Sequence, residues 1–155
     1  MDAENQVARG KNPERPRPYH RGFDLEERLL QYSARIIGLV DVLPRSRTGN
    51  HVAGQLLRSG TSPLSNQGEA SSAESIDDLI HKLSICLKEL RETRRWLLLI
   101  QRVPMVKSPS MLDAILGETD ELIRIFAASI RTSRAKQADS RRASSTGRNS
   151  TGNMT

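Results

Sequence analysis

The 155-residue sequence predicts an all-α fold, a bundle of four antiparallel helices, from three observations. Only 3% of the residues are aromatic and the apolar residues are mainly Leu, Ile and Ala, which suits helices better than sheets. Four segments repeat apolar residues at alternating spacings of four and three, which is the period of one helix face. Short segments with Pro or Gly separate these repeats, and short connections join antiparallel neighbours.

The first two helices are predicted over residues 24–43 and 50–72. The apolar stripe of the first consists of Leu25, Leu29, Tyr32, Ile36, Leu39 and Leu43. The stripe of the second contains smaller residues, namely Ala53, Leu57, Gly60, Leu64 and Gln67. Because small residues let helices approach closely, tight packing is expected near Gly60. Pro63 lacks an N–H group and predicts a kink in this helix.

The third and fourth helices are predicted over residues 76–102 and 111–133, and Ser75 is expected to cap the third. The third stripe consists of Leu79, Leu83, Cys86, Leu90, Thr93, Leu97 and Ile100. The fourth consists of Leu112, Ile115, Thr119, Leu122, Phe126 and Ile130. Further apolar residues flank these stripes. They predict either an exposed surface through which copies of the chain associate or a wider core stripe.

The net charge of +6 is concentrated at the two ends of the chain. Residues 1–23 carry +2 and residues 131–155 carry +5, which leaves −1 between them. Residues 1–22 are interpreted as a disordered arm that contains Pro and Arg. Residues 136–155 are interpreted as a disordered basic tail of Ser, Thr and Arg, which either contacts phosphates or only improves solubility.

Several classes of protein are disfavoured by the sequence. The longest apolar run, Trp96 to Ile100, is far shorter than the roughly 20 residues that cross a bilayer, so no membrane partner is expected. The polar N-terminus does not resemble a secretory signal, and the single cysteine, Cys86, fits a reducing cytosol. A cytoplasmic location is therefore predicted. A di-iron bundle needs two Glu-x-x-His pairs, whereas Asp78 and His81 form the one similar pair in this sequence. Neither a metal nor another cofactor is therefore expected.

The most distinctive sequence lies in the second and third helices. It reads QLLRSGTSP at 55–63, SAES at 72–75, LIHKL at 79–83, CLKELRET at 86–93 and WL at 96–97. The fourth helix adds ETDELI at 118–123 and ASIRT at 128–132. Over about residues 23–135 the chain thereby resembles the "four helix bundle" family of small bacterial proteins first noticed in intervening sequences of 23S ribosomal RNA genes.

This resemblance carries expectations about assembly and partners. The accessory variability determinant of diversity-generating retroelements belongs to the same fold family. The resemblance therefore implies a bundle that assembles as a homopentameric ring and binds nucleic acid. It also implies a reverse transcriptase as a partner.

Basic residues on the third helix form the main candidate site. They recur opposite the apolar stripe and continue near the end of the fourth helix; they are Lys88, Arg91, Arg94, Arg95, Arg102, Arg131, Arg134 and Lys136. Repeated cations attract a polyanion, so electrostatic binding of RNA or DNA is predicted. With few aromatic residues to stack on bases, the contacts should be to the backbone. Alternatively, Glu89 and Glu92 neutralise the cations through pairs along the helix.

A polar stripe on the second helix forms a second set, which consists of Arg58, Ser62, Asn66 and Glu69. We interpret it as a structural network in which Arg58 or Asn66 reaches a carboxylate of a neighbouring helix or subunit. A ligand site is the alternative.

The chain is predicted not to be an enzyme. A helical ribonuclease would use a pair such as Arg45 and His51, but no positioned partner or pocket is apparent for His51 as a general base. The sequence thus predicts an oligomeric accessory factor that binds nucleic acid. A module that only mediates protein contacts is the alternative.

Overall fold

The structure, a computed structural model, describes residues 21–148. Its four helices are α1 (Arg21–Asp41), α2 (Arg47–Ser71), α3 (Ile76–Arg102) and α4 (Pro109–Arg148), and the described part contains no strand. Each helix packs against the next along the chain, and α1 also packs against α4. The predicted all-α fold of four helices is confirmed.

Contacts between side chains show that neighbouring helices are antiparallel. The contacts between α3 and α4 join Gln101 to Asp113, Arg94 to Asp120, and Asp77 to Gln137. Residue numbers fall along one helix as they rise along the other, which defines the antiparallel arrangement. No helix within residues 21–148 has the length and apolar character needed to span a membrane.

The core is formed by the predicted stripes of α1, α3 and α4, whose members are almost all buried. Polar members of these stripes satisfy one another across helix interfaces. The hydroxyls of Tyr32 and Thr119 lie 2.8 Å apart between α1 and α4, and those of Thr93 and Ser59 lie 3.0 Å apart between α3 and α2. These paired hydroxyls avoid the cost of burying a polar group without a partner.

The register of α2 differs from the prediction by about one residue. Of the predicted stripe, Gly60 and Gln67 are buried, whereas Leu57 is 39% exposed. The other buried residues of the helix are Gly49, Val52, Leu56, Ser59, Pro63 and Ala70. Small residues occur on several sides of α2, so its sequence does not distinguish the core face from the neighbouring one. Gly60 does pack tightly as expected, because a Cβ atom there would lie 2.7 Å from Cγ2 of Ile36.

The caps explain where α2 and α3 begin. Ser46 accepts a hydrogen bond from the backbone N–H of Gly49, so α2 begins three residues earlier than predicted. Ser75 caps α3 as expected, since its hydroxyl accepts from the N–H of Asp78 at 3.1 Å. Pro63 lies inside α2, which continues as one helix to Ser71.

The fourth helix is longer than predicted. It was expected to end at residue 133 and to give way to a disordered tail from residue 136, but α4 continues to Arg148. Adding turns to an existing helix avoids the cost of nucleation. The Ala, Arg, Lys and Gln residues of this segment also have high helix propensity. Asp77 also accepts a hydrogen bond from Gln137 and lies 3.6 Å from a guanidinium nitrogen of Arg141. The predicted arm, except for its last two residues, and residues 149–155 lie outside the described residues.

Candidate nucleic-acid interface

A groove of about 560 Å³ runs along the surface between α3 and α4. It is lined by Ser84, Leu87, Lys88, Arg91, Arg95, Ala127, Ile130, Arg131 and Arg134. Five of these nine side chains are cationic and none is acidic. The antiparallel packing of α3 on α4 thus brings five of the eight predicted nucleic-acid-binding residues to one surface.

The five cations of the groove are available to a ligand. Among the described residues, none of the five takes part in an ion pair or a side-chain hydrogen bond. Other cations of the bundle are engaged, for example Arg28 with Glu118 and Lys82 with Glu69. A phosphate that enters the groove therefore meets guanidinium and ammonium groups without first breaking an ion pair.

The nearest acids on α3 point away from the groove. Glu89 is 7% exposed and accepts a hydrogen bond at 3.3 Å from Arg58 of α2, and Glu92 pairs with the same guanidinium. The alternative in which Glu89 and Glu92 neutralise the basic face of α3 is therefore not what the structure shows. Arg58 instead pairs with both carboxylates on the side of α3 that contacts α2.

The other three predicted cations lie outside the groove. Arg94 is engaged with α4, where its Nε lies 2.6 Å from Oδ1 of Asp120. Arg102 occupies the last turn of α3, where a cation complements the helix dipole. Lys136 is exposed on the extension of α4, two residues beyond Arg134.

One basic residue near the groove was missed by the sequence analysis. Arg124 is exposed on α4 seven residues before Arg131, so the two share a helix face. Between residues 122 and 138, α4 carries basic residues and no acid. This spacing and the lack of acids are the signals that could have identified Arg124.

Four of the five acids of α4 lie between residues 113 and 121 and are tied to other helices. Nε of Arg28 lies 2.6 Å from Oε1 of Glu118, and the same guanidinium pairs with Glu121. The hydrogen bond from Arg28 lowers the pKa of Glu118 below its usual value. Glu118 and Glu121 therefore link α4 to α1, and neither lines the groove.

The polar stripe of Arg58, Ser62, Asn66 and Glu69 does not form one network. Two of its residues contact α3, and the other two bond to each other within α2. Arg58 reaches Glu89 and Glu92, and Glu69 pairs with Lys82. Asn66 stays within its own helix, where its amide donates to the carbonyl of Ser62 at 2.9 Å. Arg58 and Glu69 thus join α2 to α3 at separate points, whereas Ser62 and Asn66 bond to each other within α2.

The structure offers little for the alternative of a ribonuclease. The exposed ring of His51 packs edge-on against Trp96, with 6.1 Å between the ring centroids. Burial raises the pKa of the Cys86 thiol to about 12, so this thiol is a poor nucleophile at neutral pH. Among residues 21–148 no cluster of His, Cys, Asp and Glu has the composition of a metal site.

The fold and the groove define the class of this molecule as a helical bundle with a cationic surface between two of its helices. The chain belongs to the 23S rRNA-intervening sequence protein family, whose model matches residues 24–128. The resemblance to the family of 23S rRNA intervening sequences is thereby confirmed.

The bundle is also similar to a solved structure. That structure is a protein with unknown function from the S23 ribosomal protein family of Bacteroides thetaiotaomicron, with a TM-score of 0.65 and 31% sequence identity. The match covers 71% of this chain and 97% of that chain. No curated protein matches the chain.

Proposed function

We propose that this protein is a non-enzymatic bundle that binds nucleic acid through the cationic groove between α3 and α4. The observation that supports this function is the convergence of Lys88, Arg91, Arg95, Arg131 and Arg134 in one groove. Four of the five are arginines, whose planar guanidinium groups form paired hydrogen bonds with phosphate oxygens.

The groove suits recognition of the phosphate backbone. None of its lining residues is aromatic, so stacking on unpaired bases does not contribute there. Neutralisation of five phosphates gives a slope of about −4.5 in a plot of log affinity against log salt. Affinity should accordingly fall by about 10²- to 10³-fold between 50 and 200 mM salt.

The test is binding of fluorescently labelled duplex DNA and duplex RNA, measured by anisotropy over this range of salt. The double variant Arg91→Glu/Arg95→Glu reverses two exposed cations without removing a contact of the described fold. The control Arg45→Glu/Arg47→Glu changes the net charge equally, but it does so at the α1–α2 connection and outside the groove.

We expect the groove variant to lose binding and the control to retain most of it. Equal losses in both variants would mean that only net charge matters, and the groove would then not be the site. Affinity that survives the groove variant and does not vary with salt would also contradict the proposal.

The family description suggests one class of ligand to include in this test. Since the family is described by 23S rRNA intervening sequences, structured RNA is the first nucleic acid to compare with DNA. A reverse transcriptase as a partner, implied by the resemblance to the retroelement accessory protein, stays a prediction.

We also propose that copies of the chain associate through the outer surface of α1 and α2. Leu30 and Leu64 line one shallow groove there, and Ile37 and Leu57 lie seven residues from them on the same faces. Leu30 is 53% exposed and Ile37 46% exposed. The resemblance implies that the assembly is a pentamer. This surface also favours the second candidate function, a module that only mediates protein contacts.

A further inference from the structure

The arginines of α4 form one continuous face that extends beyond the groove. They are Arg124, Arg131, Arg134, Arg141 and Arg142, and position 148, the last of α4, falls on the same side of the helix. With 3.6 residues per turn, these six positions fall within about 120° of the helix circumference. The 24 residues between the first and the last correspond to about 36 Å at 1.5 Å per residue. Lys136 and Asp139 lie outside this face.

The second half of this face projects beyond the bundle. Ser133 is the last residue of α4 whose side chain is buried. Gln137 and Arg141 contact Asp77, which is the second residue of α3, so α4 passes the end of its neighbour at this level. The final turns of α4 therefore have no part of α3 beside them.

We propose that α4 is a cationic rod that lies along double-stranded nucleic acid, so that groove and rod together engage phosphates over at least one helical turn. This inference rests on the proposed function of the groove. One turn of a duplex is about 34 Å long, which matches the arginine face of α4. A duplex also presents about one negative charge per 1.7 Å of its axis, as a rigid linear array.

A duplex fits this surface better than a single strand does. Binding of single strands relies on aromatic platforms. Among the aromatic side chains that the structure describes, Tyr32 and Phe126 are buried in the core and Trp96 packs against His51 of α2. Because the rod is already helical, its charges bind at fixed positions. A disordered tail of equal charge would have to lose conformational entropy on binding.

The test uses the full chain and a substitution that bends the rod without changing its charge. Ser140 lies nine residues, or two and a half turns, after Arg131 and so faces away from the arginines. Ser140→Pro removes one backbone hydrogen bond and should break the helix there. Ser140→Ala keeps the helix and is the matched control. Circular dichroism verifies that both variants retain the bundle.

The probes are an 8-bp duplex, a 20-bp duplex and a 20-nucleotide single strand, each as DNA and as RNA. Each affinity is divided by the number of positions at which the protein can bind that probe. We expect the wild type to bind the 20-bp duplex at least about tenfold more tightly than the other two, because more phosphates are contacted. Ser140→Pro should lose this preference and still bind the 8-bp duplex like wild type. Ser140→Ala should behave as wild type throughout.

Two results would overturn this inference while leaving the groove as the binding site. One is equal affinity for the short duplex, the long duplex and the single strand. The other is a Ser140→Pro variant that binds the long duplex like wild type, since a flexible charged tail would then suffice. Failure of every probe to bind would overturn the proposed function itself. A preference for the long duplex that is seen only with DNA or only with RNA would identify which nucleic acid the protein binds.

Discussion

Glycines of two kinds occupy the helices of this bundle. At Gly60 an added Cβ atom would lie 2.7 Å and 2.9 Å from two side-chain carbons of Ile36. At Gly54, Gly68 and Gly117 an added Cβ atom would have no other atom within 4 Å. The first kind is required by the close approach of α1 and α2. The second kind lowers helix stability without a packing reason in the described chain.

This difference predicts opposite effects of the same substitution. Gly60→Ala should reduce the free energy of unfolding by about 1–3 kcal/mol, because either Ile36 or the helix backbone must move. Gly117→Ala should raise it by about 0.5–1 kcal/mol, since alanine has the higher helix propensity. Urea denaturation followed by circular dichroism measures both. Equal effects at the two positions would contradict the packing of α1 on α2.

At the scale of helices, charged residues join α1 to α4. The side chain of Glu118 is 15% exposed and accepts two hydrogen bonds from Arg28, at 2.6 Å and 3.2 Å. The hydrogen bond lowers the pKa of Glu118, so the folded state binds a proton at this carboxylate less readily than the unfolded chain does. The resulting stabilisation is present above the unfolded pKa of about 4.3 and is lost as the pH falls through the lower folded value.

Glu118→Gln therefore predicts a defect that depends on pH. The variant should melt below the wild-type temperature at pH 7, and the difference should shrink as the pH is lowered from about 4.3 through the folded pKa. Thermal melts in buffers between pH 7 and pH 3 measure it. Glu74→Gln removes the same charge at an exposed position in the α2–α3 connection and serves as the control for general charge effects. A difference that is constant down to pH 3 would show that the ion pair does not cause the defect.

The stripes of α1, α3 and α4 could be predicted from sequence because each has one face of large apolar residues bordered by charged ones. Leu29, Ile36 and Leu90 are examples, and all are fully buried. The face of α2 could not be fixed, since Leu56 and Leu57 fit two adjacent stripes and only the packing of the bundle buries Leu56 and leaves Leu57 exposed. The continuation of α4 was also missed, because its Ser-rich composition suggests disorder when the existing helix and the contacts of Asp77 are not considered.

At the scale of the whole molecule, the candidate site shows what periodicity provides and what it omits. Spacings of three and four place Lys88, Arg91 and Arg95 on one face of α3 without any knowledge of the fold. The sequence does not reveal that α4 sets Arg131 and Arg134 across the same groove, because this depends on the register between two helices. Nor does it reveal that Glu89 turns towards Arg58, which leaves the groove free of acids.

Self-association would repeat this groove around a symmetry axis and so multiply the phosphates that one assembly contacts. If the outer surface of α1 and α2 forms the interface, Ile37→Glu should place a charge in an apolar contact and lower the molar mass measured by light scattering. Val103→Glu is the matched control, because Val103 is 51% exposed and lies at the end of α3.

The wild type and Val103→Glu should both show a mass of several chains, each of 17.3 kDa, at micromolar concentration. Ile37→Glu should approach a single chain and bind long duplexes less tightly, because fewer grooves act together. A wild-type mass of one chain would refute the assembly, and the exposed leucines would then be left to bind a different protein. Dissociation by Val103→Glu alone would place the interface on α3 instead.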